Sequence, residues 1–361
     1  MDEPENRTTM SKQRILFLNY HQAASGFLSE GELPHDYVLT CRFLTSSIID
    51  RTLTLDQGFD YVVFDPIPEP AKNGPTFAEL CDTIGGEIVA EANASGRNIS
   101  LLWSGGIGST IALIAIMKAV EATGQRDILQ VLLSIESVHE YPAFFSQYIN
   151  QKYRVKPITS PITKFFNHKA IIVTGEHGDQ LFGSHLLEPY VRQGSAYLDY
   201  RDYLPIILTE RFGNPLDAYR VMRYLEPQIA AAPVPIRTLF DCIWWLNFSL
   251  KWQQASLRLP VFRRKKVQKT YESMRHFFGD QRFQAWSLAN PTVRSTFVWK
   301  HYKDVAKQYI LQFTGDLAYY CNKKKVPSLR QLMIDPKLKK QYRIQAFMSE
   351  DFQPIFNLVE K

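Results

Sequence analysis

With 361 residues, 45% of them hydrophobic and 22% charged, the chain is long enough for one large domain or two modest ones, and a chain without a packed core is excluded. Its formal net charge of +6 suits an anionic ligand such as a nucleotide and argues only weakly for nucleic acid. Cys41, Cys81, Cys242 and Cys321 form no C-x-x-C pair, so neither a zinc site nor a disulfide framework is indicated, and a reducing, cytoplasmic location is expected.

The first dozen residues, with Asp2, Glu3 and Glu5, read as a solvated tail without a secretory signal. Ile15–Asn19 and Tyr61–Asp65 are apolar runs of strand length, and the proline-rich stretch from Pro66 to Pro75 reads as a boundary or linker. From residue 96 the pattern alternates. Strands are predicted at Asn98–Trp103, Ile128–Leu133 and Ala170–Thr174, with helices at Thr110–Ala122 and Pro142–Tyr153. The apolar run Ile111–Met117 is too short to span a bilayer. The expected fold is α/β, a parallel sheet with helices on both faces, followed by a mostly helical C-terminal part from about residue 196. Two regions are expected: residues 1–95, of unassigned role, and residues 96–361, which carry the chemistry.

Ligands of such sheets bind beyond the carboxyl ends of the strands, and two glycine turns fall there. The first is Ser104-Gly105-Gly106-Ile107-Gly108-Ser109-Thr110, between a strand and a helix. Glycines let the backbone approach an anion, and the helix amides and dipole favour negative charge. Ser104, Ser109 and Thr110 add hydroxyls, so the turn has the makings of a phosphate cradle. It lacks the lysine of a Walker loop, and Ile111 stands where a dinucleotide fingerprint needs its third glycine. The second turn is Thr174-Gly175-Glu176-His177-Gly178-Asp179-Gln180-Leu181-Phe182-Gly183.

Together the two segments, SGGIGS and TGEHGDQLFGS, resemble the synthetase domain of the asparagine synthetase and β-lactam synthetase family, which pairs an S-G-G-x-D-S pyrophosphate loop with a T/S-G-E-G-x-D-E-L-F-G-G segment. Downstream, Lys303 and Lys307 resemble the K-x-x-L-R segment of that family, and Asn322–Lys325 its basic cluster. The resemblance spans about residues 96–330. It implies a PP-loop fold of the adenine nucleotide α-hydrolase type, with ATP and Mg²⁺ as cofactors. The implied reaction is adenylation of a carboxylate, followed by its transfer to ammonia or another amine, supplied free or by a separate ammonia donor.

Carried over residue by residue, the resemblance puts ATP on Ser104, Gly105, Gly106, Ser109, Thr110 and Gly175, and a metal on Asp179. It makes Lys303 the phosphate-binding lysine and Glu176 the base for the amine. Gly108 stands where the family has its first aspartate, and Asp2 where glutamine-dependent members have a nucleophilic cysteine, so glutamine hydrolysis is not expected. Two further readings stay open: a catalytically weakened nucleotide-binding protein, and a PP-loop enzyme acting on a nucleic-acid base or tRNA.

Several other features are read more plainly. The run Arg263–Lys266 with Lys269 is expected on a solvated face, nucleic acid being an unlikely partner and a membrane none. Phe240, Trp244, Trp245, Phe248 and Trp252 are expected in the core. His139 and Glu140 are placed near the nucleotide base, and His177 is read as a tolerated turn residue.

Overall fold

The computed structural model of the chain describes residues 14–28, 31–295, 298–323 and 346–348. Its centre is a five-stranded, all-parallel sheet flanked by helices. In chain order the elements used below are β1 (Ile15–Leu18), α1 (Phe77–Ser95), β2 (Ile99–Leu102), α2 (Ile107–Ala122), β3 (Leu129–Leu133), α3 (Ile135–Glu140), β4 (Arg154–Pro157), β5 (Ile171–Thr174), α4 (Gly178–Phe182), α5 (Leu239–Leu257), β6 (Met274–His276), α6 (Asp304–Thr314), α7 (Leu317–Asn322) and β7 (Ala346–Met348).

The sheet order is β4-β3-β2-β5-β6, with Ile99 level with Leu129 on one side and Ile171 on the other. From β2 the chain builds outward through β3 and β4, then returns to β2's other side for β5 and β6. The order therefore reverses between β2 and β5, the place where open sheets of this kind commonly bind their ligands. β2 and β5 are buried at every position, as strands covered on both faces must be.

The three predicted strands and the helix after the first turn are present, each shifted by a residue or two or, for the helix, three. Two sheet strands were not expected. β4 is a largely exposed edge carrying Arg154 and Lys156, and β6 has only three residues, two of them polar. The apolar run Tyr61–Asp65 is no strand; Tyr61 alone bridges Ile15. The segment Pro142–Tyr153 is shorter than expected, its helical part ending at Ile149 in a π turn. β1 pairs antiparallel with β7, apart from the main sheet.

The helices are delimited by legible caps. Thr76 and Glu79 form a capping box at the start of α1, and Gly96, at φ +62°, ends it. Thr238 and Asp241 do the same for α5. α5 is buried nearly all round, which marks a central core helix. Phe240, Trp244, Trp245, Phe248 and Trp252 are at most 1% exposed and lie in the core.

One hydrophobic core runs from Tyr37 and Ile84 through Trp103 and Leu181 to Trp244. The described N-terminal residues are built into it. Gln253 of α5 donates to the carbonyls of Leu16 and Val62, and the buried Arg51 donates to those of Asp65 and Phe248.

Candidate functional site

The first turn is preorganised by its own hydroxyls. The Ser104 amide donates to Ser109 Oγ at 3.0 Å, and the Gly106 amide donates to Ser104 Oγ at 3.3 Å. Ser109 Oγ donates to the Gly106 carbonyl, and the two serine hydroxyls lie 2.9 Å apart. Gly106 offers no capping side chain, so the amides of Ile107, Gly108 and Ser109 open α2 without an intrahelical partner. Gly105 has φ +75°, and a Cβ there would lie 2.5 Å from the Ser137 carbonyl oxygen, because α3 rests directly on the turn. Thr110 faces inward: it is fully buried and its hydroxyl accepts from the Trp103 indole at 3.1 Å, so it braces the turn from behind.

The second turn abuts the first, backbone on backbone. A Cβ on Gly175 would fall 2.4 Å from the Ser109 amide nitrogen, and one on Gly108 would fall 2.8 Å from the Gly175 carbonyl oxygen. Both are closer than real contacts allow, so each glycine is required by the other turn.

Donors from two helices and a loop hold the second turn in place. Asn247 donates to the carbonyls of Asp179 and Gly183, Trp244 and Ser287 donate to Leu181, and the Tyr302 hydroxyl donates to Gly183. Sequence reasoning missed these residues. The signal was there in α5, where Asn247, Gln253 and Ser256 interrupt an otherwise apolar, tryptophan-rich run.

Asp179 and Lys303, 124 positions apart, meet in an ion pair of 2.5 Å. The lysine side chain is 8% exposed and the aspartate 41%. Lys303 sits at φ +58° at the start of α6, its ammonium beside the rings of Tyr302 and Phe182. Lys307 does not join them. It is buried, donates to the Lys300 carbonyl, and burial lowers its pKa.

Glu176 is buried and pairs with Arg258, while its amide donates to Thr174 Oγ1. Next to it, His177 adopts φ +70°, stacks on Trp252 at 4.2 Å and lies 3.1 Å from Ser256 Oγ. His276 is bound at both nitrogens. Its Nε2 meets the Ser256 carbonyl and must be the donor, so Nδ1 accepts from Thr174 Oγ1. Burial pushes both imidazoles below their usual pKa, helped at His177 by His276, Arg51 and Arg258. His177 is thus a buried core residue of the second turn.

Glu140 forms a buried ion pair with Lys323 beside Gly105, under the stacked rings of Tyr141 and Tyr319. His139 is exposed. Lys324 and Lys325 lie outside the described residues. Arg263 and Lys266 belong to the turn Pro260–Lys266, near enough to His168, with Lys269, to lower its pKa after burial has done so. A cavity of about 520 Å³ lies on the other side of the second turn, between β6 and α1, with His177, Ser256 and Asp65 among its lining residues.

No family model matches the chain, and no curated protein is similar to it in sequence. Among the described residues no helix is long and apolar enough to cross a membrane, and no group of three or more His, Cys, Asp or Glu side chains could hold a metal ion.

Proposed function

We propose that the chain binds ATP across its two abutting turns and activates a carboxylate by adenylation, as an amide-forming ligase of the PP-loop type resembling asparagine synthetases. The observation that carries this reading is the meeting of Asp179 and Lys303 next to a strand-turn-helix with unpartnered amides, at the strand ends where the sheet order reverses. Each part answers a need of the reaction. The amides of Ile107 to Ser109, held open by the Ser104 and Ser109 hydroxyls, face the leaving pyrophosphate with fixed donors. Lys303 supplies a positive point charge to the phosphates. The substrate carboxylate oxygen attacks the α-phosphorus and pyrophosphate departs. An amine then attacks the acyl carbon, AMP leaves, and the amine's proton passes to Glu176 once Arg258 has moved off its carboxylate.

The residues present do not fit a Mg²⁺ ion. Position 108 has no room for a second carboxylate, and Asp179 already holds an ammonium. No step is therefore assigned to a metal.

The close packing of Gly108 on Gly175 also favours a second reading, a nucleotide-binding protein without turnover. Pyrophosphate release from ATP, measured against a panel of carboxylates with ammonium, in Mg²⁺ and in EDTA, separates the two. Release that needs one carboxylate and is lost in Lys303→Met supports the ligase. Tight ATP binding with no release across the panel supports the second reading.

A further inference from the structure

We infer that Lys303 takes the place of a divalent metal at this site, so that the protein binds the phosphates of free ATP rather than of its magnesium complex. This rests on the nucleotide reading above and concerns what neutralises the phosphates there.

Three independent observations lead to it. First, the aspartate expected in the first turn is absent and cannot be accommodated: a Cβ at position 108 meets the Gly175 carbonyl oxygen at 2.8 Å, a backbone atom that moves only with its whole turn. Second, the aspartate of the second turn, Asp179, is 2.5 Å from the Lys303 ammonium. A divalent ion on Asp179 would have to sit beside that positive charge or displace it, and like charges at such range repel.

Third, Lys303 is a built-in feature and not a surface chain that happens to fold back. Its side chain is 8% exposed, its carbonyl accepts the Lys307 amide at 2.9 Å, and Tyr302 and Phe182 flank its ammonium. A side chain so enclosed has little freedom to swing away. An ammonium carries three donors, so it can serve a carboxylate and a phosphate oxygen together. Asp179 then acts as a positioning residue that aims Lys303.

The test is calorimetric titration of the full chain with ATP and, separately, with inorganic pyrophosphate, once in EDTA and once in excess Mg²⁺. The expected result is binding in EDTA at least as tight as in Mg²⁺. Lys303→Met should weaken binding in EDTA about tenfold to a hundredfold, the range for losing a hydrogen bond to a charged group. Asp179→Asn, which keeps shape and removes the charge that aims the ammonium, should weaken binding by a similar factor in EDTA and in Mg²⁺, and by less than Lys303→Met. Gly108→Asp should lower the melting temperature and gain no Mg²⁺ dependence.

Binding seen only with Mg²⁺, and lost in Asp179→Asn, overturns the inference and leaves the nucleotide reading intact. A stable Gly108→Asp variant whose affinity rises with Mg²⁺ overturns it too. Absence of binding in either buffer overturns the nucleotide reading itself.

Discussion

Gly175→Ala is the substitution that most directly probes the junction of the two turns. The new methyl would fall 2.4 Å from Ser109 N, 2.6 Å from Gly108 C and 2.8 Å from Ser109 Cα, all backbone atoms. Favourable contacts between such atoms begin near 3.5 Å, so one turn must retreat by about 1 Å. No side chain can rotate out of the way. Overpacking of this kind costs about 1–3 kcal/mol, and with three backbone neighbours the upper end applies. The expected result is a loss of about 3 kcal/mol in denaturant unfolding, or roughly 4 °C in melting temperature. ATP affinity should fall in step, since Ser109 belongs to the amide set proposed to face the phosphates. A variant within about 0.5 kcal/mol of wild type, the usual surface range, and with unchanged ATP affinity would refute the contact.

The adjacent glycines of α1 should respond with opposite signs. A Cβ at Gly85 would meet the Ala115 backbone at 2.7 Å, whereas at Gly86 it meets nothing within 4 Å. Gly86→Ala should thus stabilise by about 0.5–1 kcal/mol through helix propensity, and Gly85→Ala should destabilise, both read from urea midpoints. Asn247→Leu removes the donor shared by the Asp179 and Gly183 carbonyls; a loss of about 1–3 kcal/mol in unfolding free energy is expected. Stability should also fall on acidification. Burial holds His177 and His276 neutral in the folded protein, below the usual 6.5, while the unfolded chain takes up protons first as pH falls. Their contribution is therefore full above the unfolded pKa and is lost below it, by up to about 1.4 kcal/mol per pH unit for each. His177→Phe, which keeps the stack on Trp252, should flatten that slope by one proton in unfolding measured between pH 7.5 and 5.

The sheet's interior was legible because buried parallel strands are continuous apolar runs, as in Ile99–Leu102 and Ile171–Thr174. Its edges were not. β4 alternates Arg154 and Lys156 along an exposed border, and β6 is too short to show a period. Tyr61–Asp65 had the composition of a strand, but its neighbours in space are Gln253, Trp252 and Arg51, whose side chains take its polar groups. Within the candidate site, Ser104, Ser109, Asp179 and Lys303 could be named from the family resemblance of their segments. Arg258 on Glu176, Ser256 beside His177, and Asn247 under Asp179 could not, because each arrives from α5 or its end, more than sixty positions from the second turn.

These missed residues tie the second turn down on one side. It carries a non-glycine residue, His177, in the left-handed region, which is costly unless the surroundings determine it. Here they do: the imidazole is wedged on Trp252 and Ser256, Glu176 is tied to Arg258, and the carbonyls of Asp179, Leu181 and Gly183 are each taken by a buried donor. A turn fixed on this side cannot give way on the other, where Gly175 lies against Gly108 and Ser109. The same network that presents Asp179 to Lys303 thus holds Gly175 against position 108, where a side chain would meet its carbonyl oxygen.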